Sequence, residues 1–247
     1  MADLTPRAFV AAPSRPGCPH VHVAAYRALV PNPFALDYLV ELSMRTLGFF
    51  TDHAPRAWEY PVVLERALAT SGLVIDLGAG LSPLPFALAE RGREVLTVDN
   101  SPIIRDPDDR HAWSEWGSLD YGVIDPRIAS RRTDMTQLEL SPGSVGCFVS
   151  VSVVEHMPAT QRRALWPRLR RALSFEGALV LTLDLEPGCE VLWNRCLGQT
   201  VDAEGHGTLW DVLGEMRAAR LAVGELSFAR GLPGSQTDIA CLTARPG

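Results

Sequence analysis

The stretch "SGLVIDLGAGLSPLPFALAERG", residues 71–92, constrains this chain more than any other, because it runs a buried strand into a glycine turn and then into a helix. After it, candidate strands and helices alternate. The strands are "LVIDLG" (73–78), "EVLTVD" (94–99), "RIASRRTD" (127–134), "VGCFVSVSV" (145–153) and "GALVLTLDL" (177–185). Between them "PLPFALAERG" and "PATQRRALWPRLRRALS" carry apolar residues at helical spacing. Such alternation predicts a doubly wound α/β fold on a mostly parallel sheet. A last helix, "GTLWDVLGEMRAARL", precedes "VGELSFAR" and "QTDIACLTA", two strands close enough in sequence for an antiparallel hairpin at the sheet edge.

Ahead of this pattern, residues 1–20 are rich in proline and small residues and read as an extended arm. From Val21 to about Thr70 the spacing is helical, with a start at Asn32 or Pro33. The expected division is an N-terminal arm and helical cap over 1–70, then a cofactor-binding α/β domain over 71–247.

The turn itself discriminates between cofactors. Gly78 and Gly80 permit tight turning and close approach of a ligand, and Ser82 followed by Pro83 is a good helix-start pair. A dinucleotide site presents a third glycine and free N–H groups to a pyrophosphate. Here Pro83 has no N–H to give, and Asp76 repels a pyrophosphate but suits an ammonium. These features favour a cationic cofactor that carries an amino acid. Asp99 follows Asp76 by 23 residues at the end of the next strand, the spacing at which an acid accepts from a ribose diol.

Composition limits the partners. A net charge of −6 with a pI near 5.5 provides no broad basic face for nucleic acid. The arginines of "QRRALWPRLRRALS" read as a solvated helix face. No apolar run is long enough to span a bilayer, and the N-terminus lacks a basic segment followed by an apolar one, so a cytoplasmic location without membrane contact is expected. Five scattered cysteines imply reduced thiols, and Cys18, His20 and His22 lack a second ligand cluster, so no metal is expected.

With these residues in view, the chain resembles the class I S-adenosylmethionine-dependent methyltransferases. "VIDLGAG" is similar to their first motif, "VLTVDNS" to the second, "RRTDMTQL" to the adenine-binding segment, and "VGCFVSVSVVEHMP" to the fourth motif. The resemblance implies a Rossmann-like sheet of seven strands whose last is reversed, with S-adenosylmethionine as cofactor. It places Asp76 and the backbone of Gly78 and Gly80 at the methionine end, Asp99 at the ribose, and Asn100 and Ser101 at the adenosine edge. Asp134 would take the adenine amine, Met135 would offer its backbone N–H, and Ser150 and Val151 would line the sulfonium. Ser82 stands where a third glycine is common, and "SFEGA" replaces a Pro-Gly-Gly turn, which implies a shifted loop.

Open α/β sheets place their chemistry at the carboxyl ends of the strands, which nominates Glu155, His156 and Asp184. His156, as base, and Asp184, orienting the acceptor, are the catalytic expectations, with Glu190 and His206 behind them. Tyr26, Trp58, Tyr60, Trp116 and Trp193 are expected to bind the acceptor, and His53, Trp113 and Tyr121 to help form a lid. The function expected is methyl transfer to a small molecule, and abundant alanine, arginine and proline point towards bacterial secondary metabolism. Three alternatives stand beside it. They are an enzyme of the same fold that consumes S-adenosylmethionine and releases methylthioadenosine, a non-catalytic binder, and an NAD-dependent oxidoreductase.

Overall fold

The computed structural model describes residues 25–193, 195–196, 199–200 and 206–247. The N-terminal arm, with Cys18, His20 and His22, lies outside the described residues, as does the side chain of Tyr26. The main strands are β1 (Ala25–Ala28), β2 (Leu73–Leu77), β3 (Val95–Asp99), β4 (Ile128–Arg132), β5 (Val145–Val151) and β6 (Leu173–Leu185). A two-residue pair, β7 (Arg195–Cys196) and β8 (Gln199–Thr200), stands apart, and β9 (Leu221–Ala229) and β10 (Asp238–Pro246) complete the set. The helices are α1 (Pro33–Thr46), α2 (Arg56–Leu68), α3 (Leu84–Glu90), α4 (Ala159–Ala172) and α5 (Leu209–Ala218).

One sheet of eight strands runs in the order β1-β9-β10-β6-β5-β2-β3-β4. From β6 to β4 every pairing is parallel, and β10 runs against both β6 and β9. The reversed strand therefore sits inside the sheet, between β6 and β9, rather than at its rim. The eighth strand corrects the expected seven. β1 comes from the segment read as helical and pairs in parallel with β9, Tyr26 opposite Leu226. Four residues are too few to show a period, and the otherwise unpaired edge of β9 supplies the partner.

Alternation along the strands builds a core on each face. Ile75, Phe148, Leu179 and Leu181 pack against α4 and α5. Their neighbours Val74, Cys147, Val149 and Val180 pack against α1, α2 and α3 on the other face. The N-terminal helices are thus part of the layer that covers the sheet. Asn32 caps α1 by accepting from the N–H of Phe34, with Pro33 in the first turn. "SFEGA" lies wholly within β6, which starts at Leu173, so extended strand replaces the expected turn.

The topology locates the site. The chain steps outward from β2 to β3 and β4, then returns to lay β5 on the other side of β2. Strand order reverses there, and the crevice above the carboxyl ends of β2 and β5 is where open α/β sheets bind ligands.

Candidate active site

The glycine turn after β2 is held from three sides. Gly78 has φ +72°, and a Cβ added to it would sit 2.6 Å from Cγ2 of Val153. Gly80 has φ +50°, and a Cβ there would sit 2.8 Å from the carbonyl oxygen of Glu115. Neither position admits another residue without strain or displacement. Tyr121, fully buried, accepts from the N–H of Ser82 at 2.8 Å and donates to the Gly80 carbonyl at 3.0 Å. Tyr121 thus fixes the turn from beneath, and Ser82 is not the helix cap it was expected to be, since α3 begins at Leu84 without a side-chain cap. Asp99 ties turn to strand: its Oδ2 accepts from Gly80 N–H at 2.9 Å and its Oδ1 from Ser101 N–H at 2.7 Å.

Above the turn lies a cavity of about 220 Å³. Asp76, Gly78, Gly80, Asp99, Asn100, Ser101, Met135, Val151, His156, Tyr60 and Trp116 all line it. A second cavity of about 190 Å³ adjoins it at Ala79, Gly80 and Asp99. Asp76 is 2 % exposed, and burial, reinforced by Asp99, pushes its carboxyl up to about 7. A buried carboxyl with that preference gains most from a cationic partner. The site therefore suits a ligand that carries an ammonium group.

Other expected residues fall elsewhere. Asp134 accepts from the N–H and hydroxyl of Thr136, capping a short turn, while Thr133 and Met135 reach the cavity wall. Ser150 donates to the carbonyl of Leu77 and is fully buried, off the wall that Val151 and Ser152 line. Trp58 packs with Leu29, Val62 and Ile239. It stands about 200° around α2 from Tyr60, so the two cannot share a cavity. The Trp193 N–H donates to the carbonyl of Asp184. Asp184, 3 % exposed, is off the cavity wall; its carboxylate accepts from Thr237 at 3.3 Å and its N–H donates to Glu155 at 3.0 Å. Burial and Glu59 push Asp184 up to about 7, and burial with Asp184 holds Glu155 well above the usual range. Glu190 binds Arg230, and His206 shares a hydrogen bond with the Glu155 carbonyl.

His156 does line the cavity, and its buried Nδ1 has no partner among the described residues. Burial, helped by Arg56 and His206, lowers its pKa to about 4, so the imidazole is neutral at ordinary pH. A neutral ring accepts a proton, though its basicity is weak.

The inner end also holds residues that motif reading did not single out. Arg56 and Glu59, one turn apart on α2, line or back the cavity beside Tyr60. Nη1 of Arg56 binds Glu59 at 2.6 Å, and the other Glu59 oxygen accepts from the Ser152 hydroxyl at 2.7 Å. Burial works against the charge on Arg56, but Glu59, Tyr60, Asp184 and Glu115 outweigh it and the guanidinium stays charged. Ser152 has φ +50° without being glycine, a conformation that costs about 1–2 kcal/mol. The readable signal was periodicity, because 56, 59, 60, 63 and 67 share the buried face of α2 and two of them are charged.

The long aromatic segment after β3 closes the cavity. Arg105 organises it by donating to the carbonyls of Trp116 and Ala112 and to the hydroxyl of Ser114. Glu115 accepts Leu81 N–H on its carbonyl, and its carboxylate takes the Thr51 hydroxyl and lies 3.9 Å from both His53 and Arg56. Trp113 is buried, whereas Trp116, half exposed, stands at the rim.

Comparison with known proteins agrees with this geometry. The family model described as a methyltransferase domain matches residues 75–181. No curated protein matches. Among solved structures, the 1,6-didemethyltoxoflavin-N1-methyltransferase of Burkholderia thailandensis, solved with S-adenosylhomocysteine, aligns with TM-score 0.56 at 16 % identity over 75 % of each chain. A TehB-like methyltransferase from Corynebacterium glutamicum gives 0.52 at 16 % identity, covering 87 % of this chain and 100 % of its own. The glycopeptide N-methyltransferase MtfA, solved with S-adenosylmethionine, gives 0.51 at 20 % identity over 76 % and 87 %. Residues 75–181 match a methyltransferase domain, and the chain carries the fold of these S-adenosylmethionine-dependent methyltransferases.

Proposed function

We propose that this protein transfers the methyl group of S-adenosylmethionine to a small-molecule acceptor. The observation that carries the reading is the convergence on one cavity, at the switch point of the sheet, of a buried acid, a glycine turn and a strand-end acid. When bound, the cofactor supplies an activated methyl group on a sulfonium. The residues bind, orient and exclude water. Asp99 accepts from the ribose hydroxyls with the lone pairs that Gly80 and Ser101 leave free, Asn100 and Ser101 flank the adenosine, and Met135 offers its N–H. Asp134 spends one carboxylate oxygen on Thr136 and offers the other to the adenine amine. Asp76 receives the ammonium, and Val151 with Ser152 lines the reacting end. His156 takes the proton an acceptor releases, while Asp184 acts from behind the wall as a positioning residue for Thr237 and Glu155.

A small acceptor suits a cavity roofed by the segment around Glu115 and walled on one side by Arg56 and Tyr60 of α2. Tyr60 inside it and Trp116 at its rim offer the aromatic contacts. The surplus of acidic residues argues against nucleic acid as acceptor, and among the described residues no helix is long and apolar enough to cross a membrane. Calorimetric titration of S-adenosylmethionine tests the reading. Wild type should bind, and Asp99→Ala should bind at least tenfold more weakly, about 1.4 kcal/mol. An affinity within threefold of wild type would remove Asp99 from the ribose.

A further inference from the structure

Between β3 and β4 the chain crosses the glycine turn from one buried residue, Trp113, to another, Leu119. Glu115, between them, holds to two separate elements. Its carbonyl accepts Leu81 N–H at 3.0 Å from the turn, and its carboxylate, 16 % exposed, accepts the Thr51 hydroxyl from the corner between α1 and α2. Neither cofactor binding nor proton removal employs that carboxylate.

The corner is built to receive it. Thr51 Oγ1 also accepts from His53 N–H at 3.1 Å, so the corner's own backbone fixes the donor. The Ser43 hydroxyl ties the corner to α1 by donating to the Phe49 carbonyl at 2.6 Å. Phe50 meets the ring of Tyr60, a wall residue of the cavity, edge to face with centroids 6.2 Å apart. A second tie accompanies the first: Nη1 of Arg110 donates at 2.9 Å to the carbonyl of Thr46, one of those that the end of α1 leaves open. Each tie spans 64 positions, so the roof is held by tertiary contact rather than by its own turns.

We propose that Glu115 is a positioning residue that clasps the roof to the α1–α2 corner, so that Thr51, off the cavity wall, sets how long bound S-adenosylmethionine stays. The inference rests on the cofactor reading given above. A clasp that closes behind a ligand slows its departure and leaves its entry little changed. A hydrogen bond accepted by a carboxylate is strong enough to alter a rate by about tenfold.

Surface plasmon resonance on the immobilised full chain, with S-adenosylmethionine in flow, separates the two rates. Thr51→Val, which keeps the shape and removes the donor, should release the ligand about five- to tenfold faster with association within about twofold of wild type. Glu115→Ala should release it at least as fast, and Glu115→Gln, which still accepts from Thr51, should restore part of the wild-type residence. Thr51→Val added to Glu115→Ala should change nothing further, because the partner is already gone. Where Glu115→Ala fails to fold, Thr51→Val decides alone. Dissociation from Thr51→Val within twofold of wild type, effects that multiply in the double variant, or a loss carried by association instead overturns the clasp and leaves the cofactor reading intact. Absence of S-adenosylmethionine binding by wild type overturns both.

Discussion

The two ends of the cavity are built by different means. The outer end, around Gly78, Gly80 and Asp99, is held through main-chain groups: Asp99 takes two backbone N–H groups, and Tyr121 takes and gives one bond to the turn. The inner end, around Arg56, Glu59, Ser152 and Asp184, is held by charged and hydroxyl side chains from α2 and from the ends of β5 and β6. Main-chain scaffolding sets shape with little exposure to mutation. A buried charge network makes each member depend on the others.

The sharpest test of that contrast is Glu59→Ala. It leaves the Arg56 guanidinium buried without its one hydrogen-bonded carboxylate and the Ser152 hydroxyl without an acceptor. Removing one partner of a buried pair costs about 3–5 kcal/mol. For a chain of this size that lowers the thermal midpoint by about 10 °C. A loss below about 1 kcal/mol in urea unfolding would show that water reaches the inner end and that the network is not buried.

The outer end answers to glycine. Gly80→Ala places a Cβ 2.8 Å from the Glu115 carbonyl at φ +50°, so the turn or the segment above it must shift. The positive φ alone costs about 1–2 kcal/mol. The expected result is a modestly less stable protein whose affinity for S-adenosylmethionine falls by more than tenfold, read by calorimetry. Unchanged affinity would mean that the turn does not shape the ligand site, and the distinction between the two ends would fail.

The same contrast explains what the sequence disclosed. The strand, the two glycines and Asp99 are close enough along the chain for spacing to reveal them, and the alternation of elements predicted the parallel sheet. Strand order within it, with β10 inserted between β6 and β9 and β1 added outside, depends on pairings between distant segments. Arg56, Glu59 and Ser152 likewise meet only in three dimensions, across 93 positions between Glu59 and Ser152. Aromatic residues were poor guides. Tyr121 and Trp58 looked as available for ligand as Tyr60, but Tyr121 supports the turn and Trp58 faces another cluster. The hydroxyl of Ser150 is spent on the Leu77 carbonyl, and Asp134 caps its own short turn through Oδ1, contacts that spacing along the chain does not reveal.

Asp76 lies where the two ends meet, and its titration gives the smallest and most specific effect. Burial and Asp99 raise its pKa to about 7, so in the free protein the carboxyl holds a proton below that pH. A raised carboxyl favours the folded state while protonated; its contribution to stability is fully present below the unfolded value near about 4 and is lost as pH rises through about 7. Ligand binding has the opposite sign, because an ammonium prefers the carboxylate. Affinity for S-adenosylmethionine should therefore be level above about pH 7 and fall by up to tenfold for each unit below it, while the ligand-free protein becomes more stable over the same interval. Calorimetry between about pH 5.5 and pH 7.5 measures the first and urea unfolding the second. Asp76→Asn, which keeps the shape and cannot ionise, should flatten the affinity profile and remove one share of the stability profile, leaving the share of Asp184 and Glu155. A flat affinity profile in wild type would place the ammonium elsewhere than at Asp76.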